Sequence, residues 1–533
     1  MTPSRVGAAR AVALLGAGAA ALATVTLSAL PAPASGPDVL VRQLSHDTNV
    51  HAGEAWTVVD PKHPADIGVA WLGTSDSTNM NPTDFGYCGW SHSSDGGRTW
   101  SEPSLLPFAT NTTAGVPDVV VGKSTAPICG DPVAGVGPDG SIYVGASKVG
   151  SADLMQGITS TDHGQTWRAP TEIFGVDQLA AAAVATFGTA KTPAIGMGRA
   201  FMAVDPLTGQ ISVHSQEDGG AEGRWITVSN DRGATWSAPR QLDPDIQSKT
   251  AGPQSSAGGV IGLAYDVDPT SPFYVTSPNP VVKCAALCTV FETTADGGVT
   301  WARHITPIKN TDTGAVGPGG LKISAADPAH LGHFALIALA GSASKLQLWT
   351  TPDKGATWSL AHTFVAPAGQ TLAKPWVAYS PTGALGLVWH VLHADGKADV
   401  VATVSRDNGA TFGAVVPFTD PTAPIPPDPG IGPGDDCACN LVLDASTIYI
   451  TWADSRSNGE RQMYFGRFDY TQAAAPTAVA GTKTTSAAPT VPRRHPRAPS
   501  GQLAATGAPS VVAVIALALL VAAAAVRRRV SRC

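Results

Sequence analysis

The chain has 533 residues, 14% of them charged, and a formal net charge of −7. That balance gives no basis for nucleic-acid binding, which needs a concentrated basic surface. Its 57 glycines and 43 prolines mark a turn-rich, all-β body.

In chain order, the N-terminus carries Arg5 and Arg10, then an Ala/Leu/Val/Gly run from Ala11 to Leu30, then the small residues Ala32-Pro33-Ala34. This order predicts a secretory signal peptide over residues 1–34. No cysteine follows the run, which argues against a lipoprotein anchor, and the cleavage-like site argues against a permanent membrane helix. Residues 38–45, DVLVRQLS, read as a strand with nothing upstream to pair with.

From 37 to 470 the chain is too long for one ordinary core yet contains no linker, and a repeat architecture resolves this. The octad Ser/Thr-x-Asp-x-Gly-x-Thr-Trp/Phe recurs six times, as SSDGGRTW, STDHGQTW, SNDRGATW, TADGGVTW, TPDKGATW and SRDNGATF, with its aspartates at Asp95, Asp162, Asp231, Asp296, Asp353 and Asp407. An aspartate in a tight turn accepts hydrogen bonds from its own downstream backbone, and glycine takes the positive φ that the turn demands. The aromatic then leaves the hairpin and packs against sheet. Ahead of each octad lies a paired-strand unit, and a seventh, CNLVLDASTIYITWADS completed by RQMYFGRF, follows the last octad without one of its own. Residues 38–45 would supply its missing outer strand, so that both termini close a ring and hide the open edge. The expectation is a single all-β propeller of seven four-stranded blades, with six as the alternative.

The octad resembles the Asp box, or BNR repeat, of the sialidase-like propeller superfamily, and it covers nearly the whole body. The resemblance implies that each box lies between the third and fourth strands of a blade, on the face away from the active site. The six aspartates are then structural, and one carboxylate per turn offers too few oxygens for calcium. The resemblance also implies an arginine triad for the substrate carboxylate, an aspartic acid as proton donor, and a tyrosine nucleophile paired with a glutamate. Arg98, Arg168, Arg232, Arg240, Arg303 and Arg406 lie in or just after boxes, on the wrong face or on outer strands, leaving Arg42, Arg199, Arg224, Arg456, Arg461 and Arg467. Where the family opens its first blade with Arg-Ile-Pro, this chain reads Ala55-Trp56-Thr57. Asp76 or Asp84 for the acid, Glu217 for the glutamate, and Tyr449 or Tyr464 for the tyrosine also read as ordinary loop or strand residues. Catalytic residues are therefore left unassigned, with Arg199, Arg456, Asp131 and Asp435 as weak candidates. A glycosidase with paired carboxylates would need Asp131 to face Asp435 or Asp436.

The competing reading is a non-catalytic propeller whose mouth binds a glycan or a surface protein. Loops that enter the first strand of each blade supply Glu54 and Trp56, Asp131, Arg199, Lys322, Lys374 and Trp376, and Asp435 with Asp436. Such a ring is mixed in sign, and its tryptophans suit stacking on a sugar face; the plainer reading is a solvated channel rim. No cofactor and no metal are expected. Six cysteines fall in the body, and bridges Cys88–Cys129 and Cys284–Cys288 are expected, with Cys437 and Cys439 as a close pair. Zinc at cysteines is the alternative, but no histidine stands at ligand spacing beside them.

Residues 471–502, rich in Ala, Thr and Pro and free of aromatics, read as a disordered stalk. Extended at about 3.1 Å per residue, it would span on the order of 100 Å. Beyond it come LAATG (Leu503 to Gly507), the apolar run Val511 to Val526, and Arg527, Arg528, Arg529 and Arg532. This trio resembles the LAxTG sorting signal of sortase substrates. It implies cleavage between Thr506 and Gly507, attachment to cell-wall peptidoglycan as the partner, and membrane contact only through the helix before sorting. A permanent type I membrane anchor is the alternative.

Overall fold

The fold is taken from a computed structural model. It describes residues 38–46, 51–74, 87–108, 119–121, 124–126, 129–147, 153–187, 196–218, 224–242, 251–267, 269–270, 282–308, 322–420, 422–427, 439–457, 459, 461–471 and 485–487.

Seven antiparallel blades form a β-propeller. In blade 1 the strands run outward from His51–Val59 through Ile67–Thr74 and Tyr87–Ser93 to Ser104–Leu105. Blades 2 to 6 begin at the innermost strands Gly130–Val136, Gly196–Val204, Ser255–Ala257, Ser324–Ala326 and Thr371–Tyr379. Blade 7 runs from Cys439–Leu443 through Thr447–Asp454 and Gln462–Asp469 to the N-terminal strand Leu40–Gln43. Each innermost strand packs on the innermost strands of both neighbours, and blade 7 packs on blade 1, so the ring is closed. The expected closure is therefore present, with Leu40 opposite Arg467 and Gln43 opposite Tyr464. A second lock lies at the centre: Thr57 N–H donates to Asn440 Oδ1 at 2.9 Å, and the Thr57 and Thr451 hydroxyls meet at 2.9 Å.

Because each strand alternates its faces, both faces of a blade are apolar and the cores lie between blades. Trp71, Trp90, Trp225, Trp358 and Trp452 are fully buried there. The Asp boxes join third to fourth strands, as expected, and repeat one hydrogen-bond set. Asp95 Oδ1 accepts from the Ser93 hydroxyl and from Arg98 and Thr99 N–H, each at 2.9 Å, and Oδ2 accepts from the Thr99 hydroxyl at 2.7 Å. The same serine or threonine, aspartate and threonine meet in the other five boxes. These bonds fix each carboxylate within its own turn.

The box glycine does more than turn the chain. Gly164 has φ 82°, and a Cβ there would come within 2.4 Å of Trp90 on the third strand of the preceding blade. Gly97 stands likewise over Phe465, and Gly355 over Phe291. The box aromatics follow them, with Trp167 edge-on to Trp90 at 5.1 Å and Trp358 edge-on to Phe291 at 5.2 Å. Each box thus clamps its blade to the one before.

Both expected bridges are present. Cys88–Cys129 ties the third strand of blade 1 to the entrance of blade 2, and Cys284–Cys288 closes a local loop. Cys437 lies outside the described residues. Among the elements not foreseen are a helix and an added strand. The helix, Val176–Phe187, follows the outermost strand of blade 2, and its Ala-rich face buries Leu179 and Ala183. Thr485–Ala487, inside the segment read as a stalk, pairs with Thr357–Ser359 as a fifth strand of blade 5. Residues 1–34 and 503–533 lie outside the described residues, among which no helix is long and apolar enough to cross a membrane.

Candidate ligand-binding mouth

In an antiparallel blade the first strand starts at the end opposite the Asp-box hairpins, and that end is the mouth. Four innermost strands carry a bulge at the same depth. In blade 1 the register jumps from Gly53↔Leu72 to Trp56↔Ala70, in blade 2 from Gly130↔Ser147 to Val133↔Gly145, in blade 3 from Gly198↔Gln216 to Phe201↔His214, and in blade 6 from Ala373↔His390 to Trp376↔Val388. The first extra residue is charged each time: Glu54, Asp131, Arg199 and Lys374.

Such a bulge normally takes glycine at its left-handed position. Here Glu54 has φ 53°, Asp131 φ 43° and Lys374 φ 51°. A non-glycine residue held there costs on the order of 1–3 kcal/mol, and such outliers gather at functional sites. The sequence places these residues on loops entering the first strand; the structure puts them inside it. The strand continues past the bulge because the second extra residue, Ala55, Pro132, Ala200 or Pro375, is small or lacks an N–H, and Trp56, Val133, Phe201 and Trp376 then resume the ladder. The quartets GEAW, GDPV, GRAF and AKPW are the signal that could have revealed this.

The other blades fill the ring differently. Lys322, just before the innermost strand of blade 5, is buried with its Nζ 3.2 Å from Asp266 Oδ2, while Asp266 Oδ1 accepts the Thr289 hydroxyl at 2.7 Å. Gln254 of blade 4 is buried and donates to the Phe201 and Ser212 carbonyls of blade 3. Asn440 of blade 7 serves the closure already described. Acidic residues thus stand in blades 1 and 2, and basic ones in blades 3, 5 and 6.

Trp56 and Trp376 meet edge to face at 5.7 Å, across blade 7. Trp376 is buried and Trp56 half-buried, and Trp56 packs on three separate interblade cores. The two rings tie blades 1, 6 and 7 together beneath the bulge residues.

The candidates for sialidase chemistry are held in separate local contacts. Arg456 donates from Nε to both oxygens of buried Asp454, at 3.0 and 2.8 Å, and its guanidinium lies 5.5 Å from the Tyr464 ring centre. Arg224 is 1% exposed, with Nη1 3.1 Å from His214 Nδ1. Burial and the Arg224 charge hold His214 well below the usual imidazole range, so it is neutral and donates through Nε2 to the Gly252 carbonyl. Arg467 lies against the Gly96 turn at the Asp-box end, and Arg42 donates to the Arg98 carbonyl there. Tyr449 is buried, and its hydroxyl donates to Asp444 Oδ2 at 2.6 Å on the first hairpin of blade 7, also at the Asp-box end. Burial, together with the hydrogen bond to Asp444 and its charge, pushes the phenol far above its ordinary value. Asp76, Asp84, Asp435 and Asp436 lie outside the described residues, as do the side chains of Arg199 and Glu217. Arg461, just ahead of the third strand of blade 7 at the mouth end, is buried beside Gly53.

No protein-family model matches the chain, and no curated protein matches its sequence. Solved structures similar to it include a protein of unknown function from Dyadobacter fermentans, 14% identical over 80% of this chain and 99% of its own, with a TM-score of 0.41. A Hadza microbial sialidase is 16% identical over 76% of this chain and 78% of its own, with a TM-score of 0.40. Trypanosoma rangeli sialidase in complex with sialic acid is 12% identical over 81% of this chain and 59% of its own, with a TM-score of 0.39.

Proposed function

We propose that this chain is an exported, wall-anchored propeller whose mouth binds a polar ligand, a glycan or a protein segment, without cleaving it. One observation carries the reading: Glu54, Asp131 and Lys374 are held in left-handed backbone at equivalent bulges of the inner ring. Backbone strain kept at equivalent points on three blades, in residues of opposite charge, fits recognition of a partner with separated donors and acceptors. Ala55-Trp56-Thr57 in place of an Arg-Ile-Pro opening and the engagement of Tyr449 with Asp444 weigh against sialoside hydrolysis, which needs a carboxylate clamp. Export and anchoring rest on the sequence signals at residues 1–34 and 503–533.

The test uses the purified chain on a glycan array and in a fluorogenic sialoside assay. Array binding that is weakened about tenfold or more by Asp131→Asn or Lys374→Ala supports the reading, since each charge-assisted contact contributes about 1.5–3 kcal/mol. Sialoside turnover abolished by Arg199→Ala or Arg456→Ala would make the chain a hydrolase instead. For the anchor, Thr506→Ala should move the protein from the peptidoglycan fraction to the membrane fraction. Complete detergent extraction of the unaltered chain would refute sortase attachment.

A further inference from the structure

At the Asp-box end, between blades 1 and 2, four metal-ligating side chains converge. Three come from the first hairpin of blade 1, Asp60-Pro61-Lys62-His63-Pro64-Ala65-Asp66, and their ligand atoms all lie within 4.8 Å of one another. The fourth is His163, from the Asp box of blade 2. Its Nδ1 is 3.4 Å from Asp60 Oδ2 and 3.6 Å from Asp66 Oδ2, and His63 Nδ1 is 3.5 Å from the same Asp60 oxygen.

These separations are informative. A histidine–carboxylate hydrogen bond closes to about 2.7–3.0 Å, yet the buried His163 Nδ1 makes none with either acid. A tetrahedral ion with bonds of about 2.0–2.1 Å holds its ligand atoms roughly 3.3–3.4 Å apart, close to the three histidine–carboxylate spacings given above. Elsewhere the same parts do close directly. Arg232, in the same box position of blade 3, pairs with Asp139 on the hairpin of blade 2 at 2.8 Å. In blade 5 the matching hairpin, Asp327-Pro328-Ala329-His330-Leu331-Gly332-His333, brings His330 Nδ1 to 2.8 Å from Asp327 Oδ2. The box position equivalent to His163 in the blade after it is Asn408.

The hairpin is held in shape without any ion. Asp60 N–H donates to the Asp66 carbonyl at 3.0 Å, Asp66 N–H to the His63 carbonyl at 2.8 Å, and Gly96 N–H to the Ala65 carbonyl at 2.9 Å. Asp60 Oδ1 is occupied by Lys62 and His63 N–H, which leaves Oδ2 directed at the histidines. Blade 2 makes room for that oxygen with Gly140, where a Cβ would lie 2.6 Å from it.

We infer that Asp60, His63, Asp66 and His163 form a binding site for a divalent transition-metal ion of the zinc type, bridging blades 1 and 2. Two imidazoles and two carboxylates suit zinc and its first-row neighbours, whereas calcium and magnesium take oxygen ligands. Two carboxylates would also neutralise the ion's charge. The sequence gives no expectation of a metal here because the fourth ligand lies a whole blade away from the other three. The site is separate from the mouth and stands independently of the ligand-binding reading.

The test is calorimetric titration of the intact chain with Zn2+ at neutral pH, with Ca2+ and Mg2+ as hard-cation comparisons, and thermal melts with and without Zn2+. One zinc per chain is expected, with a raised melting temperature. His63→Gln and His163→Asn should each weaken it at least about tenfold; asparagine already occupies the His163 turn position at Asn408, where φ is 55°, and unchanged melts without zinc would show that the variants fold. His393→Gln, whose imidazole pairs with Asp399 at 2.7 Å, should change nothing. Absence of zinc binding by the unaltered chain would leave only histidine–carboxylate ion pairs and overturn the inference. Zinc binding that survives both substitutions, as at a thiol site or at the Asp327, His330 and His333 cluster, or that is lost with His393→Gln, would overturn it too.

Discussion

At the Asp-box end of the propeller, six turns make the same hydrogen bonds with the same residue types, each within four residues of its own chain. At the mouth end, the equivalent position on four inner strands holds Glu54, Asp131, Arg199 and Lys374, which differ in sign and length. Repetition follows where a residue serves the blade, because every blade poses the same turn and the same neighbour. Variation at a fixed position is what the proposed ligand-binding role of the ring calls for. Positive φ falls in the boxes on glycines and on His163, Arg232, Lys354 and Asn408, and in the bulges on Glu54, Asp131 and Lys374.

That contrast breaks most visibly at the clamp. Gly164→Ala would put a methyl group on Trp90 and force φ 82° on a residue with a Cβ, a loss of about 2–4 kcal/mol from overpacking and left-handed strain. Chemical denaturation should register it as a clear fall in midpoint. A change under about 0.5 kcal/mol would mean that the boxes do not clamp neighbouring blades. Asp296→Ala removes three hydrogen bonds from one box and should cost about 1–3 kcal/mol, with ligand binding unchanged. Loss of binding with stability intact would refute the division of labour between the two ends.

Acid should act on the box end first. Burial raises the Asp95 carboxyl, but hydrogen bonds from Thr99, Ser93 and Arg98 outweigh it and bring the group from 3.8 to about 2. The other five box aspartates are lowered by the same kind of bonds. The folded chain therefore binds fewer protons than the unfolded chain as pH falls through this range. The stabilisation is present above the ordinary carboxylate value near 4 and drains as pH drops toward 2. Melts at pH 5 and pH 3 should differ, and Asp95→Asn should narrow the difference. An unchanged pH profile in that variant would show that the depressed carboxylates contribute nothing.

The smallest effect should have the opposite sign. Glu54→Gly relieves left-handed backbone in blade 1 and should stabilise the fold by up to about 1 kcal/mol after the added chain entropy of glycine, while weakening ligand binding. A destabilised variant would show that Glu54 belongs to the packing and not to the site.

What the amino-acid order determined by itself was whatever rests on short-range chemistry or on counting. The box turns are legible because Ser93, Asp95 and Thr99 bond only to one another and to the intervening backbone. Seven blades follow from seven strand-pair units with one unpaired N-terminal strand, and Cys284–Cys288 from its short loop. The bulges were half legible: Glu54, Asp131, Arg199 and Lys374 could be picked out as charges at the head of each blade, but their register depends on which second-strand residue the backbone skips. Tertiary structure alone decided that Trp56 packs on Trp376, that Gly164 rests on Trp90, and that His163 reaches Asp60 and Asp66. These pairings join residues of different blades, and their contact distances are set by how seven sheets close around a common axis, a quantity no single blade encodes.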